Sequence, residues 1–466
     1  MRHARALAIF LSGLLMLSGC TFEQKQPFES QVGLQLFMWP WNSVASECES
    51  LGEKGIDWVL VSPPQEHIVG SPWWTVYQPV SYQLQSRLGS PSDFESMVKT
   101  CGAAGVDIFV DVVINHMSAQ DSGVGFAGTS FEKYIYPGLY GPEDFHNCQL
   151  TADNSIQNYG DAAQVQTCEL LGLSDLNQSR QNVRQTIIDY LNGLLGIGVR
   201  GFRIDAAKHI APSDLEPIIN ALPEQTIILL EVIRGGGEPI QPEQYSHLGY
   251  IWEFNYARSM RSYFEDQLLG FIDLETRFDG YLPSENAISF ITNHDTERNS
   301  QSINFNYQKE FELATSLMLA EPYGTPMLYS SYYFYDYDAG PIEDKGMVSP
   351  VVCPENASSQ NTYSDRDWIC QHRWLSVEKM IRFRDTVQDT TVVNAMQTEN
   401  LFGFEREAKG YFVVNVSPLV EETIEVQTTL PDGSYLDLLG DRTYDVVGGK
   451  LTMTVSPLTA IALVKN

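Results

Sequence analysis

The chain has 466 residues, 43% of them hydrophobic and 11% aromatic, which is enough for a large core plus a further domain and too apolar for a disordered protein. Its 59 acidic and 29 basic residues leave a net charge of −30. Such a surface repels nucleic acid and anionic lipid, and it suits a neutral substrate in salty water, where screening relieves self-repulsion.

At the N-terminus, Arg2 and Arg5 precede an apolar run over 6–17 that is too short to span a bilayer and stay there. The run ends in Leu17-Ser18-Gly19-Cys20, which resembles the box at which bacterial lipoproteins are cleaved and lipidated on the cysteine. This implies a signal peptide over 1–19, lipidation of Cys20 and a tether over 20–30. It also implies an exported protein whose only membrane contact is its lipid anchor. Thr21 after the cysteine argues against an inner-membrane retention signal, so the outer membrane is the expected site. Export permits disulfides. Sequence neighbourhood pairs Cys148 with Cys168 and Cys353 with Cys370, and leaves Cys48 and Cys101 as the third pair.

Eight strand-like runs follow in order: 34–39, 58–62, 108–115, 201–205, 227–232, 250–255, 288–293 and 326–330. Most are separated by segments of helical spacing. One offers Ser92 as N-cap, with Phe94, Met97 and Val98 on one face; another, 182–195, carries Val183, Ile187, Leu191 and Leu194 on one stripe. Eight strands alternating with helices predict an α/β fold, a (β/α)8 TIM barrel over 31–115 and 177–387. The stretch 116–176, rich in Gly, Asn, Asp and Tyr, is too long for a structureless loop and reads as a small inserted domain after the third strand. Beyond 388, short β-branched segments with turns at Pro431-Asp432-Gly433 and Gly448-Gly449 predict a C-terminal antiparallel β-domain, read as a sandwich over 388–466.

Four of the predicted strands end in acids and histidines: Asp111–His116, Gly201–His209, Ile228–Ile233 and Phe290–Asp295. In a parallel barrel, the C-terminal strand ends carry the site. Hydrolysis of a glycoside needs a carboxylate on one face of the sugar and a protonated acid on the leaving oxygen. Asp205 lies two residues after Arg203, so both side chains point the same way and Arg203 is expected to keep Asp205 ionised. Glu231, framed by Leu229, Leu230 and Val232, is expected to hold its proton. Asp295 stands across the barrel mouth, placed to bind sugar hydroxyls and support an oxocarbenium-like transition state. A lone Asp is more often a salt-bridge partner or a helix N-cap. Three acids on three strand ends, with Arg203, His116 and His294, make that reading remote.

On these motifs, together with Ser62-Pro63-Pro64 and the run from Pro72 to Tyr82, the chain resembles the α-amylases of the retaining α-glucosidase family, and among them the animal-type enzymes that some bacteria share. The likeness covers roughly 31–466. It implies that Asp205 is the nucleophile, Glu231 the acid/base and Asp295 the transition-state stabiliser. Arg203, His116 and His294 would surround the sugar in the cleaved position. Tyr77 would stack under that ring, Trp73, Trp74 and Gln78 would line the glycone side, and Lys208 and His209 would face the aglycone. It further implies one structural Ca²⁺ between the inserted domain and the barrel, held by Asn115, Asp175 and the carbonyls of Gln166 and His209. Relatives that bind chloride use an Arg, an Asn and a further basic residue. Arg203 and Asn293 match the first two, but Met327 stands at the third, so chloride is not expected. The glycine-rich loop those relatives carry after the strand-7 Asp is replaced here by Thr296-Glu297-Arg298-Asn299-Ser300. The expected activity is endo-acting hydrolysis of α-1,4-glucan with retention, by a monomer whose partner is the glucan. The alternatives are a maltooligosaccharide-releasing or transglycosylating enzyme on the same scaffold, or a non-catalytic glucan-binding lipoprotein.

Overall fold

The structure is a computed structural model that describes residues 28, 31–271, 273–274, 276–440 and 442–465. The signal peptide and Cys20 lie outside the described residues. Eight parallel strands close a barrel: β1 (Gly33–Leu36), β2 (Trp58–Val61), β3 (Asp107–Val112), β4 (Gly201–Ile204), β5 (Ile227–Leu230), β6 (Tyr250–Trp252), β7 (Ala287–Ser289) and β8 (Thr325–Ser330), with β8 returning to pair with β1. Most of these strands are buried along their whole length, as a sheet covered on both faces requires.

Several strands stop earlier than the sequence pattern predicts. β3 ends at Val112 rather than Asn115, β5 at Leu230 rather than Val232, and β7 at Ser289 rather than Asn293. One further backbone bond carries the chain past the end of β4 and β5: Asp205 N–H to Val112 O at 3.0 Å, and Glu231 N–H to Ile204 O at 3.3 Å. These bonds fix the height of both acids. The chain then leaves the ladder, and the side chains are free to face the mouth.

The opposite end of the barrel is filled by aromatic rings. Gly33 and Gly201 are required there, because a Cβ would lie 2.0 Å from the Trp58 ring and 2.9 Å from the Phe109 ring respectively. Phe28 closes this floor, stacked on Trp58 and Phe109 at 5.8 and 6.0 Å.

The helix before β3 spans Pro91–Ala103, and its cap differs from the expectation. Ser90, not Ser92, is the N-cap, in a reciprocal capping box with Asp93, because Pro91 is preorganised for the first helical position. Phe94, Met97 and Val98 are buried, as their spacing predicts. This helix packs on Trp41–Glu53, and Cys101 and Cys48 are joined across the pair, Cα to Cα 4.9 Å. The other two disulfides are Cys148–Cys168 and Cys353–Cys370.

The insertion after β3 contains a hairpin (Ser122–Val124 with Ser130–Glu132), a short helix (Ala162–Thr167) and a cluster of Phe131, Tyr136 and Phe145. Eight C-terminal strands are hydrogen-bonded into one continuous antiparallel sheet: β9 (Val392–Gln397), β10 (Leu401–Arg406), β11 (Gly410–Asn415), β12 (Glu422–Gln427), β13 (Gly433–Asp437), β14 (Thr443–Val447), β15 (Lys450–Val455) and β16 (Ala460–Lys465), in the order 9-10-11-16-13-14-15-12. Alternate residues serve two cores. Phe402, Phe404 and Phe412 join the barrel core, while Leu401, Tyr411 and Val413 join a core shared with Leu451 and Met453 of the far strands.

Candidate active site

The ends of β2, β3, β4, β5 and β7 open into a cleft of about 730 Å³. Every predicted catalytic and sugar-binding residue lines it except Arg203, which lies fully buried beneath. Arg203 was expected around the sugar; it instead acts through the acids above it.

Register brings Asp111 of β3 beside Arg203 of β4. Arg203 Nη1 donates to Asp111 Oδ1 at 2.7 Å and to Asp205 Oδ1 at 2.8 Å. Its Nη2 lies 2.9 Å from Glu231 Oε2, without the alignment of a hydrogen bond. One guanidinium thus serves three carboxyls, with its plane over Trp252 at 4.8 Å. A fourth acid, Asp295, completes the group.

Burial raises the pKa of all four, against the pull of Arg203. Asp111 is pushed up to about 7. For Glu231 this is the expected direction. For Asp205 the direction is the same, and Arg203, 2.8 Å away, is the group that opposes it in favour of the ionised form.

Ala206, directly after Asp205, sits in the left-handed region at φ 50°. That conformation is costly for a residue with a Cβ. It aims the Ala206 N–H at Glu231 Oε2, 2.8 Å away. The two acids are therefore tied to one another through the backbone of the first.

Asp295 precedes a short helix (Thr296–Asn299), but its side chain makes no cap bond. Asn293 Oδ1 accepts the Asp295 and Thr296 N–H groups instead, at 3.0 and 2.8 Å. The Asp295 carboxyl, one-third exposed, is left facing the cleft. His294 is clamped between Phe37 (4.9 Å) and Tyr77 (5.1 Å), both nearly parallel to it. Gln35 Nε2 lies 3.1 Å from its Nδ1. Burial drives His294 well below the ordinary imidazole pKa, and His116 and His209 down to about 4. The histidines of the cleft are neutral at neutral pH, so the 3.4 Å contact of His294 with Asp295 is not an ion pair.

Both His116 nitrogens have protein partners, the Tyr77 carbonyl at 3.0 Å and the Asn115 amide at 3.3 Å. Tyr77 donates its hydroxyl to Asp111 at 2.9 Å. Gln78 Oε1 accepts from the Ala119 N–H at 3.1 Å, which joins this wall to the insertion. Lys208 donates to the Ile233 carbonyl at 2.8 Å and is paired with Glu238.

Of the four positions matched to calcium, Asn115 and Asp175 are buried, and Asn115 Oδ1 has no hydrogen-bond partner. His209 Nδ1 donates to the Val165 carbonyl at 2.9 Å, which holds its turn against the helix that carries Gln166. Asp175 bonds His146 at 2.7 Å, and burial pushes its pKa up to about 7. Arg203 Nε and Asn293 Nδ2 are also buried and unpaired, whereas Met327 lies in the apolar cluster of the barrel floor.

Sequence reasoning missed two features. Arg298 is buried among Phe37, Trp73, Tyr332 and Phe334, pairs with Glu297 and donates to the His294 carbonyl at 3.1 Å. Tyr337 and Asp338 also line the cleft, on the loop after β8. No local pattern marks either one. The only signal was the aromatic run from Tyr332 to Tyr337.

The Alpha-amylase family, described as alpha amylase, catalytic domain, matches residues 77–234, and the bacterial alpha amylase C-terminal domain matches residues 393–459. The chain is 40% identical to an alpha-amylase of Streptomyces violaceus, over 99% of this chain and 79% of that protein. It is 39% identical to an alpha-amylase of Thermomonospora curvata, over 92% and 72%. A crystal structure of alpha-amylase I from Eisenia fetida superposes with a TM-score of 0.86 at 32% identity, covering 93% of this chain and 97% of that one.

Replacing Arg203 with Met would leave Asp111, Asp205 and Glu231 buried without their cation. Their folded-state pKa values then rise further above the unfolded ones, so the destabilisation grows with pH. We expect a loss of about 3–5 kcal/mol at pH 8 that shrinks towards pH 5. The check is the difference in melting temperature between variant and wild type across that range. A difference independent of pH would mean that Arg203 matters only for packing on Trp252.

Proposed function

The chain belongs to the α-amylase family, and on that premise we propose how its cleft hydrolyses α-1,4-glucan as an endo-acting enzyme. The observation that carries this reading is the meeting of Asp205, Glu231 and Asp295 over one buried guanidinium, at the base of an aromatic cleft. An Asp205 oxygen attacks the anomeric carbon while Glu231 gives its proton to the glycosidic oxygen. The C–O bond breaks, the first product leaves, and a glycosyl ester remains on Asp205. Glu231, now a carboxylate, takes a proton from water, whose oxygen displaces Asp205 from the anomeric carbon. Two inversions give retention. Asp295 hydrogen-bonds the sugar hydroxyls, beside a neutral His294. Tyr77 supplies an aromatic face for the ring. Trp73, Trp74, Lys208 and His209 all line the cleft; with the first two on the glycone side and the last two on the aglycone side, as the resemblance implies, a chain would extend both ways, as internal cleavage requires.

Calcium fits the seam of barrel and insertion. Among the described residues no trio of His, Cys, Asp or Glu side chains converges on a metal site. The matched donor set needs none, since it comprises one carboxylate, one carboxamide and two carbonyls. Asn115 Oδ1, buried and without a partner, is the kind of oxygen a hard cation satisfies. Asn115, Asp175 and the carbonyls of Gln166 and His209 would hold the ion, which would tie the insertion to the strand ends. Chloride is not proposed: Met327 adds no positive charge to the pair Arg203 and Asn293.

The lipid anchor on Cys20 and an outer-membrane location remain part of this reading, supported by the sequence of the N-terminal segment. Phe28 lies on the barrel floor, the end away from the cleft. Among the described residues no helix is long and apolar enough to cross a membrane.

Asp205→Asn and Glu231→Gln are each expected to lower reducing-sugar release from soluble starch by at least about 10²-fold with the fold intact. Retention of a tenth of the wild-type rate by either variant would contradict its role. Chelation should lower the melting temperature, because it removes a term RT ln(1 + [L]/Kd) that only the folded state enjoys. An unchanged melting temperature after proven metal loss, or no metal in the purified protein, would refute the calcium assignment. Exchanging chloride for a non-coordinating anion at constant ionic strength should change activity little. Saturable activation by millimolar chloride would show that Arg203 and Asn293 bind it without a third ligand.

A further inference from the structure

The Asp295 carboxyl faces the cleft, yet no side-chain bond of its own holds it there. Among the described residues it caps no helix and accepts no hydrogen bond, and its one polar contact is His294 Nε2 at 3.4 Å. Its place therefore depends on the peptide that carries it. The unit joining His294 to Asp295 is gripped at both of its polar ends. Its N–H donates to Asn293 Oδ1 at 3.0 Å, and its carbonyl, that of His294, accepts from Arg298 Nη1 at 3.1 Å. A planar peptide fixed at both ends leaves little freedom in the backbone angles on either side.

Arg298 is itself held on every side. Its side chain is fully buried, with the guanidinium 4.0 Å from the centre of the Phe334 ring and 5.2, 5.5 and 5.5 Å from Trp73, Phe37 and Tyr332. Its Nη2 donates to the Tyr332 hydroxyl at 3.1 Å, whose own proton goes to the Ala339 carbonyl at 2.8 Å. Its ion-pair partner Glu297 accepts from Tyr329 at 2.7 Å and from Ser331 at 3.0 Å. Tyr329 belongs to β8 and Ser331 follows it, so a buried ion pair braces the peptide before Asp295 against the strand next to β7. The charge acts in the same direction. Burial favours the protonated form of Asp295, and Arg203 and Arg298 oppose it; burial also keeps His294 neutral, and both cations add to that.

We propose that Arg298 is the positioning residue of the Asp295 carboxyl: through the His294 carbonyl it fixes where that carboxyl meets the sugar at the transition state, with Glu297 holding the guanidinium against β8. This rests on the α-amylase reading of the cleft, in which Asp295 hydrogen-bonds the sugar. Asp295 touches the substrate, and Arg298 acts only through it. A small displacement weakens most the contacts that tighten at the transition state, so the loss belongs in kcat rather than in KM.

Arg298→Met alone would leave Glu297 buried without a cation, so the test uses two variants that avoid this. Glu297→Gln combined with Arg298→Met removes both charges together. Arg298→Lys keeps a cation for Glu297 but loses the fork that reaches the His294 carbonyl and the Tyr332 hydroxyl at once. Each is compared with wild type by kcat and KM on a nitrophenyl maltotrioside, once its melting transition shows a folded protein, and again in the Asp295→Asn background. The double substitution should lower kcat roughly 10- to 100-fold with KM within about 2-fold. Arg298→Lys should lose less, in the same direction. In the Asp295→Asn background, where the carboxylate to be placed is gone, the double substitution should cost less than about 3-fold further. A wild-type kcat in either folded variant would overturn the proposal. So would a rise in KM with kcat unchanged, or a loss of equal size in both backgrounds, which would mean that Arg298 supports the aromatic wall rather than Asp295. If the double variant does not fold, Arg298→Lys carries the comparison in both backgrounds. A wild type that leaves the maltotrioside and amylose intact would overturn the α-amylase reading and this role with it.

Discussion

A single buried cation organises this active site. Arg203 contacts Asp111, Asp205 and Glu231 from three adjacent strands, and none of these groups would stay charged at that depth without it. The arrangement is possible because strands β3, β4 and β5 are in register, so that residues of equal height face one another across the barrel mouth. Sharing has a chemical consequence. A guanidinium given wholly to Asp205 would leave a strongly acidic nucleophile and an unsupported acid/base. Divided among three acids, it opposes in each of them the burial that favours the protonated form. The strained Ala206 backbone adds the last constraint by tying Glu231 to the residue next to Asp205.

Around this centre the protein uses neutral groups. Depth suppresses the charge of His116, His209 and His294, so they orient and hydrogen-bond without competing with Arg203 for the acids. His294 gains its orientation from two flat rings. The Glu297–Arg298 pair lies behind this layer, its cation enclosed by four aromatic side chains and its anion accepting from Tyr329 and Ser331 at 2.7 and 3.0 Å. The resemblance to chloride-binding enzymes implies a glycine-rich loop after the strand-7 Asp. Here that segment is anchored by a buried ion pair, which makes the wall beside Asp295 a fixed surface.

The same logic explains how distant parts of the chain support the cleft. The insertion reaches the strand ends through Asn115, Asp175 and the His209–Val165 bond, at the seam where Asn115 Oδ1 is buried without a hydrogen-bond partner. The C-terminal sheet shares one face with the barrel core and keeps the other for itself. Disulfides close short loops at Cys148–Cys168 and Cys353–Cys370 and join the first two barrel helices at Cys48–Cys101.

By itself the sequence determined the barrel, the three acids and the cysteine pairs. Those features depend on local pattern: apolar runs that end in polar residues, helical stripes between them, and two pairs of cysteines close in the chain, which leave Cys48 and Cys101, 53 residues apart, as the third. Strand ends and the Ser90 cap were less legible, because alternation does not register where a ladder stops and because Pro91 shifts the helix start by two residues. Only the tertiary structure decided that Arg203 lies beneath the cleft and is shared with Asp111 and Glu231, since spacing along one strand says nothing about its neighbours. It also decided that Trp73 and Trp74 lean on Tyr337 and Asp338, 264 residues away in each case. Contacts of that separation arise when the barrel closes and brings the loops of its second and eighth strands together, and no periodicity in the chain encodes them.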